Sequence, residues 1–170
     1  LLLMPDALHA LTGLTPAGRV GYRLASIKAN DYLNLWVRHL ALNLAAPDQG
    51  VRRSYWVAED GTVRLEPVAD AGDQLRVLLE WYWRGTRRLL RFFPQSALAY
   101  VKALRQDQDA EKALRAARGR WEGDDFQTFA PEREDDYYRL AFRETDPLDA
   151  EFEATALTVF LPVLEAAIQD

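Results

Sequence analysis

The sequence predicts an α/β fold in which a small mixed sheet is flanked by helices. Two pairs of short, strand-like segments lie in the first half of the chain, and turn-forming residues join each pair. Longer segments with apolar residues at helical spacing follow each pair. Strands interleaved with helices are typical of α/β and α+β proteins and not of helical bundles.

The first half of the chain predicts two strand pairs and one helix between them. Residues 7–26 predict a hairpin, because the Pro and Gly residues of segment 13–18 suit a turn. Residues 51–58 and 62–68 predict a second pair around Asp60-Gly61, a dipeptide typical of hairpin turns. The helix over 29–45 is predicted from apolar residues at helical spacing. These are Leu33, Trp36, Val37, Leu40, Ala41 and Leu44.

The second half predicts four helices and one strand. A helix is expected over 70–92, and Pro94 suits the first turn of the next helix, with Ser96 as its cap. A short polar helix over 107–118 and a strand over 137–142 follow. Asp146 predicts the cap of a last helix that runs to the C-terminus. The inward residues are expected to be Leu75, Leu78, Leu79, Tyr82, Leu89 and Leu90 in the first helix, and Phe152, Ala156, Val159, Phe160, Val163 and Leu164 in the last.

Composition limits the classes of function. The 170 residues suffice for one domain, 1–170, with its own core, and the first residues suggest a piece of a longer subunit. The net charge of −5 argues against a free-standing nucleic-acid binder, so any DNA contact must come from a local patch. The chain has no Cys, which excludes disulfides and thiolate zinc sites. It also has no apolar stretch long enough for a membrane span, and we expect no membrane partner.

The hairpin over 7–26 has the layout of a metal-dependent nuclease of the PD-(D/E)XK class. Such enzymes hold Mg²⁺ with acids on two strands, and a Lys two residues after the second acid helps to position the attacking water. Here Gly21 stands where the second acid would be, Arg23 stands in place of the Lys, and His9 lies near the other acid position. Glycine offers no side-chain ligand, and a lone His suits Mg²⁺ poorly. We expect vestigial positions without catalytic residues, metal or cofactor; an ordinary hairpin is the alternative.

Other chemical residues are weaker candidates. The acids Asp124-Asp125 and those between Glu132 and Asp136 are typical of a solvated loop, and His39 is expected to be a packing residue of its helix.

An arginine series is the better candidate for binding. Arg84, Arg87, Arg88 and Arg91 have the spacing of one helix face. Such a face can contact DNA phosphates or an acidic partner, or can simply be solvated. Trp81 and Trp83 add large apolar area to the same helix, which indicates a partner surface.

Three blocks of the sequence resemble one known family. They are "GLTPAGRVGYRLASIKANDYLNLWVRHLALNLA", "LLEWYWRGTRRLLRFFPQSALAYVKAL" and "YYRLAFRETDPLDAEFEATALTVFLPVLEAA". In this order they resemble the C-terminal region of the gamma subunit of exodeoxyribonuclease V, the RecC family. Segments 46–73 and 103–136 match weakly.

The resemblance implies a degenerate PD-(D/E)XK fold without nuclease activity. It implies a place in the bacterial, cytoplasmic RecBCD helicase–nuclease, which processes double-strand breaks for recombinational repair. The expected partners are the beta and alpha subunits, RecB and RecD, to which ATP hydrolysis and cleavage belong, and DNA. The family splits the duplex, guides a strand and takes part in Chi recognition, although its Chi channel lies mainly in domains absent from this chain. A divergent nuclease and a pure protein-interaction module are the alternatives to a scaffold that guides DNA.

Overall fold

A computed structural model describes residues 13–45, 52–123, 130–143 and 145–169. The chain forms two compact units, one comprising the residues up to Trp83 and again from Glu165, the other Arg84–Leu164. The expectation of a single domain stays a prediction. Among the described residues, no helix has the length and hydropathy needed to cross a bilayer.

The first unit contains a five-stranded mixed sheet, so the α/β prediction is confirmed. The strands are β1 (Leu14–Thr15), β2 (Gly18–Tyr22), β3 (Ser54–Ala58), β4 (Gly61–Leu65) and β5 (Ala167–Gln169), in the spatial order β1-β2-β3-β4-β5. Strands β2 and β3 are parallel, and the other neighbours are antiparallel. Helix α1 (Ala29–Ala45) connects the parallel pair, as a crossover between parallel strands requires.

The predicted helix over 29–45 is confirmed, but its buried face differs from the prediction. The fully or nearly fully buried positions include Tyr32, Leu35, Trp36, His39, Leu40 and Asn43. Val37, which was expected inside, is 43% exposed. The buried stripe includes two polar residues. A prediction from apolar residues alone misses them and therefore shifts the expected buried face of α1 by about one residue.

The first hairpin also differs from the prediction. Strand β1 lies inside the segment 13–18 that was predicted to be a turn, where Thr15 Oγ1 donates to Gly18 O at 2.7 Å. Strand β2 ends at Tyr22 and not at residue 26. The predicted partner strand within 7–12 lies outside the described residues.

Strand β5 was not predicted, because the last helix was expected to continue to the C-terminus. Helix α6 (Ala150–Ala166) ends earlier, and Ala167–Gln169 pair with β4. Gln169 Nε2 also donates to Tyr32 Oη at 2.6 Å. Without β5, the N–H and C=O groups along the outer edge of β4 would have no strand partner. Residues 167–169 pair with that edge, which a continued helix could not do.

Helix α2 (Ala71–Gly85) is shorter than the predicted 70–92 helix. The amides of Arg87 and Arg88 both donate to Arg84 O, which forms a turn after Gly85. Ala71 is the only buried residue of α2. Of the positions expected inside, Leu79, Tyr82 and Leu89 are exposed.

The second unit is helical. Helices α3 (Pro94–Asp107) and α4 (Ala110–Glu122) pack together, and a 3₁₀ turn (Glu132–Glu134) leads into α5 (Asp136–Ala141). The strand predicted for 137–142 is wrong, because Asp135 accepts hydrogen bonds from the amides of Tyr137 and Tyr138 and caps a helix there. The cap of α6 is Asp149 and not Asp146. Its predicted apolar stripe is confirmed: Phe152, Ala156, Val159, Phe160, Val163 and Leu164 are buried.

Candidate functional site

Strand β2 brings the positions of interest onto one face of the sheet. Side chains alternate along a strand, so Arg19, Gly21 and the following Arg23 share a side. In the parallel register Arg19 lies beside Ser54 and Gly21 beside Trp56. Hydrogen bonds from Arg23 and Ser54 to residues of α1 identify this side as the one that α1 covers.

Gly21 is in close contact with Trp56. A Cβ atom placed on Gly21 would lie 2.7 Å from both Cε3 and Cζ3 of Trp56, closer than real Cβ contacts come. The indole ring therefore occupies the space that an acidic side chain at position 21 would need. The glycine allows this close packing of the two strands.

Arg23 forms an ion pair with a residue that has a structural role. Its Nη1 lies 3.3 Å from Asp31 Oδ2, and the same oxygen accepts from Lys28 N at 2.8 Å. Asp31 thus binds the first turn of α1, where a carboxylate also interacts favourably with the helix dipole. It is buried and doubly engaged, and Arg23 neutralises it.

The nearby Arg19 is buried, and no carboxylate in the described part of the chain forms an ion pair with it. Only 3% of its surface is exposed, and its Nε and Nη1 have no hydrogen-bond partner. Burial, and secondarily the charge of Arg38, lower its pKa from the ordinary value. His9 lies outside the described residues. Within the described ranges, no group of three or more His, Asp or Glu side chains is placed to hold a metal ion.

His39 is a packing residue, as predicted, and it anchors α1 to the sheet. Its Nε2 lies 3.0 Å from the carbonyl oxygen of Glu66, which can only accept, so Nε2 carries the proton. Its Nδ1 then accepts from Ser54 Oγ at 2.9 Å. Burial lowers the pKa of His39 to about 4. Both His39 and Ser54 are 0% exposed, so this Ser–His pair has no access to a substrate.

The arginine series in the second unit does not lie on one helix, because Arg87, Arg88 and Arg91 follow the end of α2. Arg88 Nη2 lies 2.8 Å from Glu151 Oε1, and Arg91 pairs with Asp149 at 3.3 Å. Arg91 Nη1 also donates to the carbonyl oxygen of Asp146. Arg88 and Arg91 therefore bind the start of α6. Arg87 is exposed.

The acids between Glu132 and Asp136 are more structured than a solvated loop. Glu132 accepts from the backbone amides of Gln95 and Ser96 and from Ser96 Oγ. Its carboxylate therefore caps α3 from a distant part of the sequence. The N-cap position is Phe93, whose side chain makes no capping hydrogen bond, and the prediction of Ser96 as the cap is wrong. Asp124 and Asp125 lie outside the described residues.

Two aromatic residues near the end of α2 are exposed. Tyr82 is 67% and Trp83 is 60% exposed, and their rings contact each other edge to face. Trp81 is half-buried. Exposed aromatic area of this kind marks interaction surfaces.

The fold and the site together define a mixed α/β protein in which Gly21 of β2 and the following Arg23 stand at the positions considered for catalysis. The model of one protein family, the RecC C-terminal domain, matches residues 5–105. This is more than half of the chain, so the chain belongs to the RecC C-terminal domain family. RecC is a subunit of RecBCD, or exodeoxyribonuclease V, a complex of bacterial DNA repair. No curated protein matches the sequence.

Proposed function

We propose that this domain is catalytically inactive and serves RecBCD as a scaffold that also guides DNA during double-strand-break processing. The observation that carries the proposal is the contact between Gly21 and Trp56. It supports a degenerate PD-(D/E)XK fold in which the parallel pair β2 and β3, with α1 between them, persists without the catalytic acids. We propose that this processing takes place in the bacterial cytoplasm.

The chemistry of position 23 supports the same proposal. Phosphodiester hydrolysis by this class of enzyme needs carboxylates that hold a metal ion and a group that positions water. A guanidinium is not deprotonated in proteins, and that of Arg23 is paired with Asp31. We therefore propose that Arg23 has a structural role, as the counter-ion of Asp31, and does not activate water.

The scaffold role rests on the apolar surface of α2. Tyr82 and Trp83 present large aromatic area that the described fold leaves exposed. Aromatic residues are enriched among the residues that dominate binding at protein interfaces. We propose that this surface contacts the beta or the alpha subunit, RecB or RecD.

The experiment for the scaffold role is reconstitution of the complex with Trp83→Ala. Loss of the aromatic anchor should weaken recovery of the chain with RecB and RecD by about tenfold or more. Tyr137→Ala is the matched control, because Tyr137 is 83% exposed on α5. Equal recovery of both variants would show that Trp83 does not contribute to the interface.

The DNA role rests on the cationic segment after α2. We propose a phosphate contact by Arg87, an exposed arginine of this segment, whereas Arg88 and Arg91 pair with carboxylates of the chain. Arg87→Ala should reduce the DNA affinity of the complex and the steepness of its salt dependence, whatever the DNA sequence. Arg115→Ala is the control, because Arg115 is an exposed arginine on α4.

Two alternatives predict different results. A pure protein-interaction module would lose assembly with Trp83→Ala but show equal DNA binding for the two arginine variants. A divergent nuclease would show metal-dependent cleavage that copurifies with this chain.

A further inference from the structure

Helix α1 has a second apolar stripe, which lies outside the core. Its residues recur at intervals of three and four and therefore share one face of the helix. They are Leu33, Val37, Ala41 and Leu44. Val37 is 43% exposed and the other three are half-buried. The stripe that α1 packs against the sheet, which contains His39, lies roughly a third of a turn away. Helix α1 is therefore apolar on two sides, and the described residues leave one of them uncovered.

A helix that is apolar on two sides is typical of an element enclosed between two layers, since a surface helix usually carries polar residues on its outer face. On α1 the exposed polar residues Asn34 and Arg38 lie beside the second stripe and do not replace it. From Leu33 to Leu44 the stripe is about 16 Å long, at 1.5 Å per residue of helix. That length matches about three turns of another helix laid along it.

Two surface depressions lie at the two ends of the second stripe. One, of about 310 Å³, is lined by residues of α1 that include Leu33 and Val37. The other, of about 490 Å³, lies where Leu44 approaches Leu75 and Leu79 of α2, and we call it the α1–α2 groove. Both depressions belong to the first unit. A docked helix can therefore place apolar side chains at both ends of the stripe.

The α1–α2 groove has an acidic rim. Asp70, Asp73 and Arg76 line it. Arg76 pairs with Asp73 at 3.0 Å and with Glu80 at 3.5 Å, whereas Asp70 forms no ion pair with the residues that the structure describes. Carboxylates attract Lys and Arg and repel a phosphate backbone. The rim therefore favours an occupant with a basic end and disfavours DNA.

We propose that the second stripe and the α1–α2 groove bind an amphipathic helix of a partner subunit of the complex. This helix has an apolar face about three turns long, and it carries Lys or Arg at the end that lies beside Asp70. The docking surface uses residues other than the proposed contact of Trp83, and it rests on membership of RecBCD alone.

The first experiment is reconstitution of the complex with Val37→Ser. Recovery of the chain with its partner subunits should fall by about tenfold, because the variant removes apolar area that docking buries. Val57→Ser is the matched control, since Val57 is also 43% exposed. It follows Trp56 in β3 and therefore points away from α1. Equal recovery of the two variants overturns the proposal.

Cross-linking identifies the occupant. The chain has no Cys, so Val37→Cys offers a single attachment point for a maleimide that carries a photoreactive group. In the complex the product should join Val37→Cys to a helix of RecB or RecD with apolar residues at i, i+3 and i+4 and a basic residue at one end. Val57→Cys should not give this product. A link to a second copy of the chain, a link within the same polypeptide or no link at all overturns the proposal.

Asp70→Asn tests the basic end of the occupant. Charges at the edge of an interface act mainly on the association rate and on its salt dependence. The variant should therefore assemble more slowly and with a flatter salt dependence. Asp136→Asn is the control, because the Asp136 side chain is 86% exposed on α5. Equal association rates for the two variants overturn the proposal as stated.

Two variants distinguish this docking surface from the proposed contact of Trp83. Loss of assembly with Val37→Ser but not with Trp83→Ala supports the docked helix and excludes the Trp83 contact. Loss with Trp83→Ala but not with Val37→Ser supports the Trp83 contact and overturns the docked helix.

Discussion

Glu132 and Ser96 are joined by two hydrogen bonds across 36 residues of sequence. Oε2 of Glu132 accepts from Ser96 Oγ at 2.7 Å and from Ser96 N at 2.8 Å, and Oε1 accepts from Gln95 N at 2.8 Å. One carboxylate thus satisfies the amides that the first turn of α3 leaves without helical partners. Burial nevertheless raises the pKa of Glu132, against the lowering effect of these bonds.

We expect Glu132→Ala to destabilise the chain by about 1–3 kcal/mol, because it leaves backbone donors and the Ser96 hydroxyl without their acceptor. Chemical denaturation would measure the loss. Glu134→Ala is the control in the same 3₁₀ turn, at an exposed residue, and should change stability by less than about 0.5 kcal/mol. Equal effects would show that the Glu132 cap contributes nothing.

The pH dependence of stability should report His39. Burial lowers the pKa of His39 from its ordinary value of 6.5 to about 4 in the folded chain. Between these values the unfolded chain binds the proton and the folded chain does not, so stability is present above pH 6.5 and falls as the pH drops toward 4. The expected loss from this residue is about 3 kcal/mol.

His39→Gln should flatten the stability curve between pH 6.5 and 4, although it also removes hydrogen bonds and lowers stability at neutral pH. His9→Gln is the control, because the chain has only these two histidines. Denaturant midpoints across that range would check both variants. A curve for His39→Gln as steep as that for His9→Gln would mean that His39 titrates normally.

A methyl group at position 21 should be costly. Gly21→Ala places Cβ against the Trp56 ring, and overpacking of this kind costs about 1–3 kcal/mol. Gly119→Ala is the opposite case, because nothing lies within 4 Å of its added Cβ in α4. That variant should be stabilised by about 0.5–1 kcal/mol. Gly21→Ala folding as stably as the original chain would contradict the close packing.

The sequence predicted the helices whose faces are set by local periodicity. The stripe of α6 could be read directly, since its buried residues are apolar. The face of α1 could not, because it also buries the polar residues Asp31, His39 and Asn43. His39 and Asn43 are held there by residues farther along the chain. Asn43, for example, donates to Arg52 O and accepts from Val68 N.

The missed elements depend on partners far along the chain. Strand β5 exists through pairing with β4, and α5 exists in an aromatic segment that local propensity assigns to a strand. In the candidate site, Gly21 of β2 and the following Arg23 were visible in the sequence. Two features of the site could not be predicted: the position of the Trp56 ring over Gly21 and the burial of Arg19. Both depend on the parallel register of β2 and β3. Alternation of Arg19 with Gly21 in a short strand was the available signal.

We propose above all that this domain does not cut DNA, and a cleavage assay tests this most directly. The purified chain would be incubated with linear duplex DNA and Mg²⁺ or Mn²⁺, with chelator as the control. Because position 21 lacks a carboxylate and Arg23 is paired with Asp31, we predict no metal-dependent cleavage. Cleavage that copurifies with the chain, that the chelator stops and that Arg23→Ala abolishes would contradict the account.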